Sequence, residues 1–255
     1  MKNLKKRLKN GDRLFGCWLN LGSCVSAEIV GLAGFDWVLI DLEHGSGSEN
    51  EVFHQVQALN GTGAAVLVRV ESFERQRFHR MLDFGAEGIM CPRINTPDEA
   101  GLAAKALTYQ PAGVRGLAKM VRATQYGRGF DDYVTDLAGG IVGIIQIETA
   151  QSLDHLDDIA QIDGVDVLFT GPLDLSTALG IRGQWDHPRF IQAIEETARA
   201  TKNAGKAAGI LLPDINEYAK YDDLGFRFIA CGSDIGFVDS GARNTINALR
   251  QLADR

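Results

Sequence analysis

Across 255 residues the chain is 45% hydrophobic and 23% charged, the balance of an ordinary globular protein of a size that one α/β barrel commonly fills. A net charge of -7, with no clustered Lys/Arg face, argues against a nucleic-acid partner, and no apolar run approaches the roughly 20 residues that a membrane helix needs. The opening MKNLKKRLKN is basic but lacks the apolar stretch of a signal peptide, so it reads as a surface helical turn and the protein as cytoplasmic. Cys17, Cys24, Cys91 and Cys231 are scattered, with neither CxxC nor zinc-ligand spacing, and suit the role of small apolar residues.

Eight short apolar runs follow in order: Leu14 to Leu19, Trp37 to Ile40, Ala64 to Val70, Gly88 to Cys91, Ile141 to Ile147, Val165 to Phe169, Ala207 to Leu212 and Phe226 to Cys231. Each is bounded by turn residues and reads as a strand covered on both faces. Segments of helical character alternate with them: Ser26 to Ala33, Ser48 to Leu59, Phe73 to Phe84, Pro97 to Tyr109, Leu153 to Ile159, Pro188 to Ala204, Ile215 to Leu224 and Ser240 to Leu252. Ser48 and Glu51 stand in capping-box register, and Thr96 with Pro97 makes a favoured helix start. Glycines 61, 85, 164, 205 and 225 fall where helices should stop.

Strand then helix, eight times, predicts a single (β/α)₈ barrel over residues 1–255, a TIM barrel of the α/β class. An open doubly wound sheet is the runner-up, disfavoured because no dinucleotide fingerprint accompanies the eight units. Residues 171 to 187 read as an extended loop on the catalytic side. Residues 110 to 130 lead toward the opposite face; they are basic and Gly-rich, fitting either a solvated loop or an interface.

Active sites of this fold lie at the carboxyl ends of the strands. The second strand empties through GFDWVLIDLEHG into Asp41, Glu43 and His44, which equally fit a turn cap and a loop histidine. The third carries Arg69 in VLVRVES, an isolated cation that needs an anionic partner and whose planar fork suits a carboxylate or enolate. The fifth gives IIQIETA, with Gln146 and Glu148 on one face, and the sixth gives FTGPLDLS with Asp174. Glu148 and Asp174 then form a hard oxygen site suited to Mg²⁺ or Mn²⁺, or a pair of helix caps. Asp83, in MLDFGAEG, falls near the end of the third helix, where a carboxylate is usually solvated, and ACGSDIG after the eighth strand fits an anion pocket or a structural turn. No lysine sits at a predicted strand exit, so carbanion chemistry here would need a metal instead of a Schiff base.

Taken together, GFDWVLIDLEHG, LVRV, LDFGAEGIMCPRINTPDEA, PAGVRG, IIQIET and GPLDLS resemble, in order and spacing, the HpcH/HpaI family of metal-dependent pyruvate aldolases. The branch of 4-hydroxy-2-oxoheptanedioate and 2-keto-3-deoxysugar-acid aldolases looks nearest, over roughly residues 10 to 240. The resemblance implies a divalent cation, Mg²⁺, Mn²⁺ or Co²⁺, on Glu148 and Asp174. It implies Arg69 on the pyruvate oxygen, His44 as acid/base with Asp83 as its partner, and Asp41 beside the metal waters. It further implies Gln146 near metal and substrate, Trp18 as a pocket wall, and backbone near Leu173 and Asp174 for the substrate carboxylate. Cleavage of a 4-hydroxy-2-oxo acid to pyruvate and an aldehyde follows. A related oxaloacetate decarboxylase, an acyl-CoA lyase, or a non-catalytic oxo-acid-binding barrel are the alternatives. The resemblance also implies a homo-oligomer, a trimer or hexamer with exchanged C-terminal helices. Leu173 replaces a common alanine and Gln110 a common proline, while Lys119, Met120 and Arg122 fall in a stretch expected to influence aldehyde preference.

Overall fold

The structure, a computed structural model, describes residues 3–137 and 140–254, so Met1 and Lys2 of the opening segment lie outside it. Its elements run α1 (Leu4–Lys9), β1 (Leu14–Leu19), α2 (Cys24–Leu32), β2 (Trp37–Asp41), α3 (Glu49–Ala58), β3 (Ala65–Arg69), α4 (Arg75–Phe84), β4 (Gly88–Cys91) and α5 (Pro97–Leu107). They continue with α6 (Phe130–Leu137), β5 (Val142–Ile147), α7 (Ala150–Asp154), α8 (Leu156–Gln161), β6 (Val167–Thr170) and α9 (Pro172–Ala178). The last are α10 (Pro188–Asn203), β7 (Ala207–Leu211), α11 (Tyr218–Asp223), β8 (Phe226–Ser233) and α12 (Asp234–Ala253). Strands β1 to β8 pair in sequence order, all parallel, and β8 closes on β1.

Side chains alternate across each strand, so one set fills the barrel and the other meets the helices. Leu14, Trp37, Leu39, Ala65, Leu67, Met90, Val142, Ile144, Val167, Phe169 and Phe228 share the interior cluster. Their neighbours Val38, Ile40, Val66, Val68 and Leu168 pack in a separate cluster with helix residues such as Val52, Val56 and Phe78. The interior is tight: Trp37 stacks on Phe228 with ring centroids 4.1 Å apart, and Gly16, paired with Trp37 across the sheet, leaves room for the indole. A Cβ at Gly16 would lie 2.1 Å from the Trp37 ring.

Several helix ends follow the expected chemistry. Thr96 and Glu99 form a reciprocal capping box at α5, and Glu51 accepts from the Ser48 backbone N–H at α3. Glycines 61, 85, 164, 205 and 225 all adopt positive φ, ending helices in the left-handed region.

Other expectations are corrected. Helix α1 is more than a surface turn: Leu4 and Leu8 are buried in the interior cluster and plug the amino-terminal mouth, while Lys5 pairs with Asp166 at 3.0 Å. The helix expected at Leu153 to Ile159 is two short ones, α7 and α8, broken at His155. Residues 171 to 187 are not one extended loop, because Pro172 at the first helical turn starts α9 directly after β6. The sequence from 110 to 130 leads into α6, a helix outside the eight expected, although Phe130, Tyr133, Val134 and Leu137 stand at helical spacing. Among the described residues no helix is long and apolar enough to cross a membrane.

Two arginines fasten the connection between α5 and α6. Arg115 is buried between the rings of Tyr109 and Tyr133, 4.6 and 5.5 Å from their centroids, and donates to Asp83 and to the Tyr133 hydroxyl. Arg122 donates to the carbonyls of Phe84 and Val56, at the carboxyl ends of α4 and α3. Its guanidinium is thereby engaged within its own barrel, whereas Met120 remains exposed. Helix α12 begins six residues earlier than the sequence pattern indicated and leaves Phe237, Val238, Ile246, Leu249 and Leu252 exposed.

Gly16→Ala is expected to destabilise the barrel by about 1 to 3 kcal/mol through overpacking against Trp37. Thermal melting checks this, and an unchanged melting temperature would mean that the interior layer yields more easily than the geometry indicates.

Candidate active site

The alternation that packs the interior also delivers polar groups to the carboxyl end of the barrel. Asp41 follows Trp37 and Leu39 on the inward face, Arg69 follows Ala65 and Leu67, and Gln146 and Glu148 follow Val142 and Ile144. Asp41 and Arg69 are paired positions of adjacent strands. The Arg69 Nε donates to Asp41 Oδ1 at 2.9 Å and one terminal nitrogen donates to Oδ2 at 2.7 Å, while the other lies 2.9 Å from Glu43 Oε2. The guanidinium sits 5.8 Å from the Trp18 ring centroid, and Trp18 is buried.

Asp41 also shapes the turn after β2. Its carboxylate accepts from the backbone N–H groups of Glu43 and His44 and from Asn20 Nδ2, the last at 2.8 Å. Gly45 is required there, since a Cβ would lie 2.1 Å from the Asp41 carbonyl oxygen. The turn leaves the His44 side chain 67% exposed, with Nε2 3.9 Å from Glu43 Oε1.

Glu148, just past β5, is buried. Its Oε1 accepts from the Arg93 backbone N–H at 2.7 Å and its Oε2 from Gln146 Nε2 at 2.5 Å. The Gln146 Oε1 is buried without a hydrogen-bond partner. Gly171 closes over this pair, and a Cβ on it would come within 2.9 Å of Gln146 Nε2 and 3.1 Å of Glu148 Oε2. Asp174 and Leu173 lie in the first turn of α9, both exposed.

The electrostatics bind these residues into one system. Burial raises Glu148 to about 7 against the lowering effect of the Arg93 N–H, and the charges of Glu43 and Asp174 raise it further. Burial raises Glu43 as well, opposed by Arg69. Burial alone would lower the Arg69 guanidinium, but its bonds to Asp41 and the charges of Asp41, Glu43 and Glu148 hold it above its ordinary value. Burial pushes the Cys17 thiol up to about 12 and Cys91 higher, so neither offers a thiolate.

The structure thus brings together Trp18, Asp41, Arg69, Gln146, Glu148 and Asp174, with His44 and Leu173 at the rim. It does not bring Asp83 to His44 within one chain. Asp83 lies near the carboxyl end of α4, which feeds the amino-terminal end of β4, and there it pairs with Arg115 at 3.2 Å. Burial raises its carboxyl, opposed by Arg115. The ACGSDIG segment carries β8 directly into α12, and Asp234 at the junction accepts from the N–H groups of Asn20, Leu21 and Ile235 and from the Ser26 hydroxyl, tying β1 to α12.

Glu43 stands where the second strand's exit placed it, whereas Asn20 and Arg93 enter the site without having been expected there. Asn20 follows β1 directly and Arg93 lies two residues past β4, so the strand-exit rule contained the signal. Arg93 contacts Glu148 through its backbone, which side-chain identity does not reveal.

A closed parallel barrel with arginine and carboxylates converging at its strand exits defines a barrel enzyme for small anionic substrates. The chain belongs to the HpcH/HpaI aldolase/citrate lyase family, whose model matches residues 14–240. It is 40% identical to the hydroxypyruvate/pyruvate aldolase of Paraburkholderia phytofirmans, over 97% of each chain, and 36% identical to the 5-keto-4-deoxy-D-glucarate aldolase of Escherichia coli K12, over 92% of each. Among solved structures, an HpcH/HpaI aldolase/citrate lyase family protein from Burkholderia cenocepacia J2315 superposes with a TM-score of 0.93 at 35% identity, covering 98% of this chain and 100% of that one.

Because Glu148 is raised from an ordinary 4.5 to about 7, the fold bears no cost below pH 4.5, a growing one between 4.5 and 7, and the full cost above 7. The full cost is roughly 3 kcal/mol. Glu148→Gln keeps an acceptor for the Arg93 N–H, and a flip of Gln146 restores the other hydrogen bond. In EDTA the variant is expected to melt above the parent at pH 8, with the gain fading toward pH 4. Equal melting at pH 8 would contradict the burial cost.

Proposed function

We propose that the protein is a divalent-metal-dependent aldolase that reversibly cleaves a 4-hydroxy-2-oxo acid to pyruvate and an aldehyde. The observation that carries this reading is the convergence of Arg69, Glu148 and Asp174 on one end of the barrel, in a chain of an aldolase family.

The residues fit a hard cation. Glu43, Glu148 and Asp174 lie close enough to raise one another or a neighbour, while Arg69 is already matched by Asp41. That surplus of negative charge and the oxygen donors suit Mg²⁺ or Mn²⁺, with Co²⁺ a third option. Glu148 and Asp174 would hold the ion, the remaining positions falling to water and substrate. Among the described residues no group of three or more His, Cys, Asp or Glu side chains is disposed to bind a metal. When bound, the cation would supply Lewis-acid polarisation of the 2-oxo group.

The chain's own residues account for the remainder. A guanidinium has five N–H donors, and hydrogen bonds to Asp41 engage two while Glu43 lies at ion-pair distance from the remaining nitrogen, so Arg69 would keep donors for the oxygen on which enolate charge develops. The first-turn N–H groups of Leu173 and Asp174 have no partner inside α9 and would receive the substrate carboxylate. Gln146 fixes Glu148, and Trp18 walls the inner side. His44 would take the proton from the C4 hydroxyl as the C3–C4 bond breaks, and return it to the aldehyde oxygen in the synthetic direction. Proton delivery to C3 of the enolate then completes pyruvate. Asp83, at the far end of its own barrel, would reach a His44 only from a second copy. The exposed apolar residues of α12 support a homo-oligomer, for which a trimer or hexamer in the cytoplasm is the proposed form.

Consumption of pyruvate with a panel of short aldehydes tests the reading. Activity is expected to vanish in EDTA, return with Mg²⁺ or Mn²⁺, and fall by about 10²-fold or more in Asp174→Asn. Arg69→Lys is expected to lose about 10- to 1,000-fold by forfeiting the planar fork. Full activity in EDTA, or in Asp174→Asn, would overturn it.

A further inference from the structure

Arg93 is placed like a functional residue, yet nothing in the proposed chemistry uses its charge. It stands two residues past the end of β4, and its backbone N–H is the donor to Glu148 Oε1. Its φ of 54° is in the left-handed region, where an arginine is unusual and a strained backbone persists only when its surroundings over-determine it. Those surroundings are visible. Asn95 Nδ2 donates to the Arg93 carbonyl, Asn95 Oδ1 accepts from the Thr149 hydroxyl, and the Asn95 and Thr96 N–H groups donate to Glu99. The Asn95–Thr149 link and the Arg93 N–H bond to Glu148 both run to the exit of β5, so the loop is locked to the strand that leads into Glu148.

The side chain borne by this fixed loop is exposed, and among the described residues its guanidinium has neither an ion pair nor a hydrogen bond. The contrast with Arg69 is informative. Arg69 is buried, clamped by Asp41 and Glu43, and faces the small inner part of the site. Arg93 stands at the outer edge, on the side of Glu148, with its charge uncommitted. The acidic cluster nearby would repel a second carboxylate on a substrate unless a cation met it.

We propose that Arg93 is a specificity residue: its guanidinium receives a carboxylate borne by the aldehyde at the end remote from the reacting carbonyl, so that ω-carboxylated aldehydes are preferred over neutral ones of equal length. This rests on the aldolase reading. Pyruvate occupies the inner end with Arg69, and the aldehyde, entering from solvent, extends past Glu148 to Arg93. Arginine supplies a planar fork for bidentate contact, and its rigid loop limits the entropy lost on binding.

The left-handed conformation provides a clean test. Glycine adopts this φ freely, so Arg93→Gly removes the charge while keeping the backbone N–H that Glu148 needs. Arg93→Lys restores a positive charge without the fork. The measurement is kcat/KM for condensation of pyruvate with a four-carbon aldehyde bearing a terminal carboxylate and with butyraldehyde, for the parent and both variants with Mg²⁺. The ratio of the two values cancels any loss common to both aldehydes. The parent ratio is expected to favour the acid, to fall by at least about fivefold in Arg93→Gly, and to recover in part in Arg93→Lys. A parent with no preference for the acid, an unchanged ratio in Arg93→Gly, or a change confined to the KM for pyruvate would overturn the assignment. A parent that condenses pyruvate with neither aldehyde nor with any other would overturn the aldolase reading itself, and this inference with it.

Discussion

The buried Asp41–Arg69 pair fixes the site on which everything else depends. An arginine carried into a barrel interior loses its hydration, and only a well-matched anion makes that tolerable. Asp41 provides it through two near-parallel hydrogen bonds from a paired position on the next strand, with Glu43 on the third nitrogen and Trp18 against the guanidinium. Asp41 simultaneously accepts from Asn20 and from two backbone N–H groups of the following turn, so one carboxylate orients the cation and folds the loop that carries His44.

Around that neutralised pair the remaining charge is one-sided. Glu148 is buried with no cation of its own, held by a backbone N–H and an amide, and burial holds it well above the ordinary range of a glutamate. In a structural role such a carboxyl would be a liability that an apolar residue would remove. Its retention at a strand exit beside Asp174 is the expected signature of a site whose stability is given up for binding a cation and charged substrate. Gly171 belongs to the same arrangement, because any side chain there would press on Glu148 and Gln146.

Much of this was legible in the sequence for reasons that are local. Strand identity followed from apolar runs, and β1 and β4 matched to the residue because Arg13 and Asn20 bound the first and Glu87 and Pro92 the second. That Gln146 and Glu148 share one face followed from period-two alternation alone. What stayed hidden depends on distance or backbone. Helix α6 carries Phe130, Tyr133, Val134 and Leu137 at helical spacing, but it is short and follows a long irregular segment that reads as one connection. Leu4 and Leu8 looked like a surface turn because the mouth they plug is assembled from distant strands. Asp83 carries a motif of the family, yet its own barrel gives it Arg115 and holds it at the end away from His44. Arg93 contributes a backbone donor that no side-chain pattern announces.

The most direct test is proton exchange at the methyl group of pyruvate in D₂O, followed by proton NMR without any aldehyde present. If Arg69, Glu148 and a divalent cation together stabilise the enolate, the methyl signal will fade with enzyme and Mg²⁺, persist in EDTA, and persist with Glu148→Gln. A methyl signal that never fades with metal-loaded enzyme, or that fades equally after chelation, would contradict enolate formation at this site.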